Sequence, residues 1–365
     1  TALMEEGMPA EFDVVLANLK DKAKQPSWAI EKKTVVTSFG MTIDIFGLTA
    51  PYPLAYPHMG WDILDPQDIL AQQLSASTAD FTILLSHLGW RFDEQAASQF
   101  TNLDLILGSH THHIYEYGKY IDGTMLAAAG RYGEHVGDIT LIFDEHFQCI
   151  QSDIIAEEVR HLPSLPADKT VIDGLEMEGH ELLQAQQITD LSHPFINQAP
   201  DYTAAHVVAE ILGAYYQVST VVMNSGMIVQ DIPQVLTMDA LHDILPHSIR
   251  MVKLTVTGRE LKEIMQELHQ VGNYLKTQKI VGMGFRGKVF GDIITVGLSE
   301  HQGQLFYQGE VIDEAVYYTV LVPDQYIFAS YFPILKASGT AEIQFPKFMR
   351  EIVADYLRTD SYPEV

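Results

Sequence analysis

The sequence predicts a layered α/β (α+β) chain of two domains, and three observations predict it. Short apolar runs alternate with amphipathic or loop segments through the first 150 residues. A change of pattern follows, with two prolines in Arg160-His-Leu-Pro-Ser-Leu-Pro-Ala-Asp and then a stretch rich in Glu, Leu and Gln. Beyond it a second strand–helix series begins, and 365 residues suit about two domains of ordinary size. The boundaries read as 1–152 for the first domain, 153–188 for a linker and inter-domain helix, and 189–365 for the second.

Residues 1–10 read as a loop or helix end, and strands are predicted over 13–17, 34–38, 42–47, 82–86, 103–107, 125–129 and 138–143. Asp65-Pro-Gln-Asp-Ile-Leu-Ala-Gln-Gln-Leu predicts a helix: Asp65 suits the N-cap, Pro66 the first turn, and Ile69, Leu70 and Leu74 share a face. A helix is predicted over 171–187. In the second domain 202–216 repeats apolar residues at helical spacing, 218–223 and 316–322 read as strands, and 254–265 as a strand, a turn at Gly258 and a helix.

Charge narrows the partners. Lys and Arg number 22 against 48 Asp and Glu, a net −26, which repels nucleic-acid polymers and anionic lipid. A small phosphate ester stays admissible, because bound metal ions reverse the sign of a pocket locally. No apolar run approaches the length of a membrane span. One cysteine, Cys149, excludes an internal disulfide framework and a multi-thiolate zinc site.

The sharpest local signal is Asp104-Leu-Ile-Leu-Gly-Ser-His-Thr-His-His113. An apolar strand runs into Gly108, and the turn after it presents His110 and His112, two imidazoles able to reach adjacent metal ions. Thr82-Ile-Leu-Leu-Ser-His87-Leu-Gly has the same grammar, a buried strand ending in His. Ligands at the ends of neighbouring parallel strands converge in the crevice beyond the sheet. The competing reading is that these histidines merely cap strands. His113 reads as packing or outer support rather than as a ligand.

These segments resemble a known family. Leu84-Leu-Ser-His-Leu-Gly and Leu105-Ile-Leu-Gly-Ser-His-Thr-His-His look like the second half of a calcineurin-like metallophosphoesterase domain. Ala128-Ala-Gly-Arg-Tyr-Gly-Glu-His-Val-Gly-Asp-Ile is similar to the strand and loop closing that domain in bacterial 5′-nucleotidases. Asn224-Ser-Gly, Leu245-Pro-His, Leu254-Thr-Val-Thr-Gly-Arg-Glu-Leu and Gly284-Phe-Arg-Gly follow in the order of a 5′-nucleotidase C-terminal domain. The resemblance implies part of a metallophosphoesterase β-sandwich flanked by helices, followed by a separate α/β substrate-binding domain. It implies a phosphoric ester hydrolase using two divalent ions, manganese, zinc or similar, on nucleoside monophosphates or related small esters. His87 and His110 would bind one ion and His112 the other.

The Asp-x-His pair, Gly-Asp motif and Gly-Asn-His-Glu loop that the family carries in the front of this domain do not occur ahead of His87, so no general acid is assigned, and Asn18 is not promoted to a ligand. The expectation is that the front of the metallophosphoesterase domain is missing and that these residues alone turn over little or no substrate. Asn224-Ser-Gly-Met-Ile-Val229 also ends in Val where the family carries an Arg. Arg286 is the nearest replacement and Arg250 a weaker one. Phe285 and Phe332 (or Tyr331) would sandwich a base, with Asn224 bonding base or ribose, and core packing and turn formation stand as the alternatives. The other functions left open are a cyclic-nucleotide or nucleotide-sugar phosphodiesterase and a non-catalytic nucleoside-binding protein. A cytoplasmic location is expected, with export as the alternative, and oligomeric state is undetermined.

Overall fold

The structure is a computed structural model describing residues 12–53, 55–280 and 284–359; the loop or helix end expected over 1–10 lies outside them. The chain divides into two units, residues 1–165 and 166–365.

The first unit is built on a six-stranded sheet. Its strands are β1 (Lys32–Val36), β2 (Thr42–Thr49), β3 (Phe81–His87), β4 (Leu105–Gly108), β5 (Lys119–Ile121) and β6 (Thr124–Ala127), in the spatial order β1-β2-β3-β4-β6-β5. The four central strands β2, β3, β4 and β6 run parallel, and antiparallel β1 and β5 close the edges. Parallel neighbours need crossovers, supplied by α1 (Pro66–Ala76) and α2 (Trp90–Gln99). Asp65 caps α1 as expected, its Oδ1 accepting the N–H of Gln67 at 2.8 Å and of Asp68 at 3.1 Å. Phe46, Leu84, Ile106 and Leu126 of the sheet pack under Leu70 and Leu74 of α1 and Ala96 and Ala97 of α2. The other face buries Met41, Phe81, Leu105 and Met125 with Ile154. Ile154 belongs to a hairpin of β7 (His135–Phe143) and β8 (Cys149–Glu158).

Two expectations are corrected here. Residues 13–17 do not form a strand. Leu16 N–H donates to Ile30 O, Ile30 N–H to Val14 O and Ala17 N–H to Gly47 O, all at 2.8 Å, so the segment makes one isolated bridge to Ile30 and one bond to Gly47 instead of a ladder. That approach requires glycine at 47, because a Cβ there would stand 1.9 Å from Val15 O. The boundary at 152 also moves. Strand β8 continues to Glu158 because each of its residues from Ser152 onward finds a partner on β7, down to His135. Residues 153–158 are therefore sheet, not linker.

In the second unit α3 (Pro166–Gln184) and α4 (Thr203–Tyr216) precede a five-stranded mixed sheet. Its members are β9 (Val221–Asn224), β10 (Met251–Thr257), β11 (Ile293–Val296), β12 (Tyr317–Pro323) and β13 (Thr340–Ile343), ordered β11-β9-β12-β10-β13. Helix α5 (Gly258–Leu275) leaves β10 directly. Thr257 Oγ1 accepts the Glu260 N–H while Glu260 Oε2 accepts the Thr257 N–H, a reciprocal capping box. Gly258 thus opens the helix instead of forming a separate turn. A Cβ there would meet Asp313 O at 2.1 Å, which explains the glycine. Helices α4, α5 and α6 (Met349–Thr359) cover the sheet around Leu212, Val222, Leu254, Leu268 and Ile352.

Candidate metal centre

Register places the histidines. In the parallel ladder Thr49 pairs with His87 and Ser86 with Gly108, so β3 and β4 end side by side. The chain then turns through Ser109 to His112, with His110 at φ +72° and His112 at φ +55°. Non-glycine residues at positive φ are strained, and such strain gathers where side-chain placement matters.

The turn brings His110 against His87. His110 Nδ1 lies 3.3 Å from His87 Nε2, and the ring centroids are 4.9 Å apart. The outward nitrogens are both engaged: His87 Nδ1 is 2.8 Å from Ser109 Oγ, and His110 Nε2 is 3.1 Å from the Tyr52 hydroxyl. Two nitrogens bound to one zinc at ~2.0–2.1 Å in a tetrahedron stand ~3.3 Å apart. Metal-binding imidazoles also have their other nitrogen held by a neighbour. On both counts this pair fits a shared ion. Burial holds both rings below the ordinary imidazole pKa, helped by the neighbouring histidines, so their lone pairs are free at neutral pH.

The His112 ring lies 6.4 Å from that of Tyr132, and no hydrogen bond or ring contact joins it to His87 or His110, although it is near enough to help lower the pKa of both. Among the described residues no three His, Cys, Asp or Glu side chains gather as a metal-holding group. His113 behaves as expected of a supporting residue, its Nδ1 2.9 Å from Thr111 Oγ1. Asn18 is fully buried and ties Thr49 to Leu64 through its amide, a structural role. Tyr52 and Ser109 were missed by sequence reasoning. Ser109 stands inside the motif, where a hydroxyl beside two imidazoles was a usable signal. Tyr52 is 58 residues from His110, and nothing local announces it.

The second unit corrects the substrate residues. Asn224 is completely buried, donating from Nδ2 to Phe290 O at 2.6 Å and accepting the Tyr326 hydroxyl at 3.0 Å. Phe332 is equally buried, its ring 4.8 Å from Tyr326 and 6.0 Å from Phe290. Phe285 lies flat on His247 at 4.9 Å and is also enclosed. Core packing, the alternative left open for these rings, is where they stand. Arg250 is spread over Phe345 and Phe348. Arg286 alone of these five residues is exposed, with Nη1 donating to Phe285 O at 3.0 Å.

His247 links these segments. Its Nδ1 accepts the Arg286 N–H at 2.9 Å, so the neutral ring carries its proton on Nε2, donated to Met227 O at 2.7 Å. Burial depresses its pKa to about 4, against the opposing effect of the Met227 bond and with help from Arg286 and Arg350. The unfolded chain therefore binds the proton first as pH falls, and folding stability is lost between pH 6.5 and about 4. That displacement is worth about 3 kcal/mol at ~1.4 kcal/mol per pKa unit. Urea unfolding of the wild type against His247→Gln is expected to show a shallower acid loss in the variant; parallel curves would disprove this assignment.

The chain has recognisable relatives, although no protein-family model matches it. It is 29% identical over 365 aligned residues to the uncharacterized metallophosphoesterase YunD of Bacillus subtilis, covering 94% of this chain and 78% of that protein. Its fold matches a Staphylococcus aureus structure assigned as a 5′-nucleotidase and solved with alpha-ketoglutarate: TM-score 0.62, 17% identity, 96% of this chain and 76% of that one. It also matches the NAD nucleotidase of Haemophilus influenzae at TM-score 0.55 and 15% identity, over 95% and 77% of the two chains. The fold is that of the two-domain 5′-nucleotidases, and the sequence is similar to that of a bacterial metallophosphoesterase.

Proposed function

We propose that the protein hydrolyses phosphate monoesters of small molecules, nucleoside 5′-monophosphates foremost, with two divalent ions, His87 and His110 holding one and His112 serving the other. The observation that supports this most is the 3.3 Å approach of His87 Nε2 to His110 Nδ1, with both outer nitrogens already engaged. Divalent ions, manganese or zinc, supply Lewis acidity and a water of lowered pKa. They also answer the charge problem, since a chain of net −26 needs local positive charge to accept a phosphate. Ser109 and Tyr52 hold the two rings in their ligating orientation. Arg286 is the residue we assign to the substrate, being the exposed cation among the candidates, whereas Asn224, Phe285 and Phe332 serve the packing beneath it.

Three imidazoles are fewer ligands than a dinuclear centre takes, so slow turnover is part of the proposal. The experiment is phosphate release from a nucleoside 5′-monophosphate, with and without manganese, using enough protein to register slow rates. Release that needs manganese and stops on chelation is expected. Release indifferent to chelation would defeat the proposal.

A further inference from the structure

Beneath the histidine turn lies a second polar group that no ligand role accounts for. Asp93, in the first turn of α2, is 1% exposed. Its Oδ1 accepts the hydroxyl of Ser86, the residue before His87, and Ser86 Oγ accepts the Leu88 N–H at 3.3 Å. Its Oδ2 is enclosed and has no partner. His113 Nε2 is enclosed and without a partner too. Both orphans border Gly108: a Cβ there would stand 2.6 Å from Asp93 Oδ2 and 3.3 Å from His113 Nε2. Leaving either atom unpaired costs ~1–3 kcal/mol.

Hydrogen bonds on the far side of the ring allow His113 to be the donor. Thr111 Oγ1 accepts the Trp90 N–H at 3.1 Å and lies 2.9 Å from His113 Nδ1. With that N–H accepted, the Thr111 hydroxyl has its own proton to give to Nδ1. A neutral imidazole that accepts at Nδ1 carries its proton on Nε2.

We propose that His113 Nε2–H donates to Asp93 Oδ2 across the face of Gly108, and that this buried pair is a positioning device clamping the turn of His110 and His112 to the strand end of His87. One side of the clamp reaches Ser86 and Leu88, on either side of His87. The other reaches Thr111, between His110 and His112. Glycine at 108 leaves both atoms room, since a methyl group there would crowd Asp93 Oδ2 and press on His113 Nε2. The consequence for metal binding rests on the phosphoesterase reading; the bond itself does not.

The test reads the imidazole nitrogens of the metal-free full chain by ¹⁵N NMR, with His113 assigned by comparison with His113→Gln. The expected result is an Nε2–H tautomer for His113 whose Nε2 resonance shifts in Asp93→Asn, a variant of the same shape with one acceptor oxygen fewer. An Nδ1–H tautomer, or an Nε2 resonance unmoved by that change, overturns the proposal. Manganese titration supplies the second measurement. Asp93→Ala and Gly108→Ala are each expected to weaken binding ~10–100-fold, the range for losing an outer partner of a metal ligand. The double variant is expected to be no weaker than the poorer single, because both changes break one device. Losses that multiply overturn the clamp. A chain that shows the tautomer but binds no manganese keeps the pair and fails the phosphoesterase reading, so the two failures are distinguishable.

Discussion

Replacing His110 by alanine is expected to weaken manganese binding by more than ~100-fold and to abolish metal-dependent phosphate release. Losing an outer partner of a ligand already costs ~10–100-fold, and His110 is placed as a ligand itself. Its Nδ1 and His87 Nε2 are the pair whose 3.3 Å spacing suits one ion, so the variant leaves a single imidazole at that position. A hundredfold loss is about 3 kcal/mol. The fold should not register it to that extent, because His110 sits on a turn beyond the end of β4 and lies outside the hydrophobic clusters of the first unit. Calorimetric titration with manganese, alongside thermal unfolding of the metal-free protein, checks both statements. Unchanged affinity would remove His110 from the metal centre.

The second large effect lies in the other unit and has the opposite signature. Phe332→Ala is expected to destabilise folding by ~3–5 kcal/mol, the range for deleting a buried aromatic ring. Phe332 is fully buried between Tyr326 and Phe290, and Tyr326 in turn bonds the buried Asn224, so the cavity would open beside a satisfied polar group. Urea unfolding reads this directly. A base-stacking residue would behave otherwise, losing nucleoside affinity with little change in stability. Near-wild-type stability in Phe332→Ala would reinstate the stacking role.

The contrast between these residues shows what the sequence could carry. Strand-end histidines are legible because the signal is local: an apolar run, a glycine or serine, and an imidazole lie within a few residues, and parallel pairing then brings His87 and His110 together. The helix start at Asp65 is legible for the same reason, since a cap bonds the N–H groups just after it. Phe285 and Phe332 were not legible. An aromatic near a glycine-rich turn reads alike whether its face is open or covered, and the covering groups, His247 and Tyr326, are set by long-range packing. Residues 13–17 misled by composition, being apolar enough for a strand while their backbone groups bond two separate neighbours. Asp93 and His113 show a third limit. Their meeting under Gly108 depends on α2 and the turn packing around β4, so neither reads as part of a pair from its own segment.

The most direct test of the central claim, that these strand-end histidines form the metal centre of a phosphoesterase, is elemental analysis of the full chain. The protein would be loaded with excess manganese, freed of loosely held ions, and compared with His110→Ala treated identically. About one tightly held ion per wild-type chain, lost in the variant, is the expected result, since His87 and His110 are the ligands brought into contact, while a second ion on His112 alone would be among those washed away. No manganese in the wild type, or equal manganese in both proteins, would contradict it.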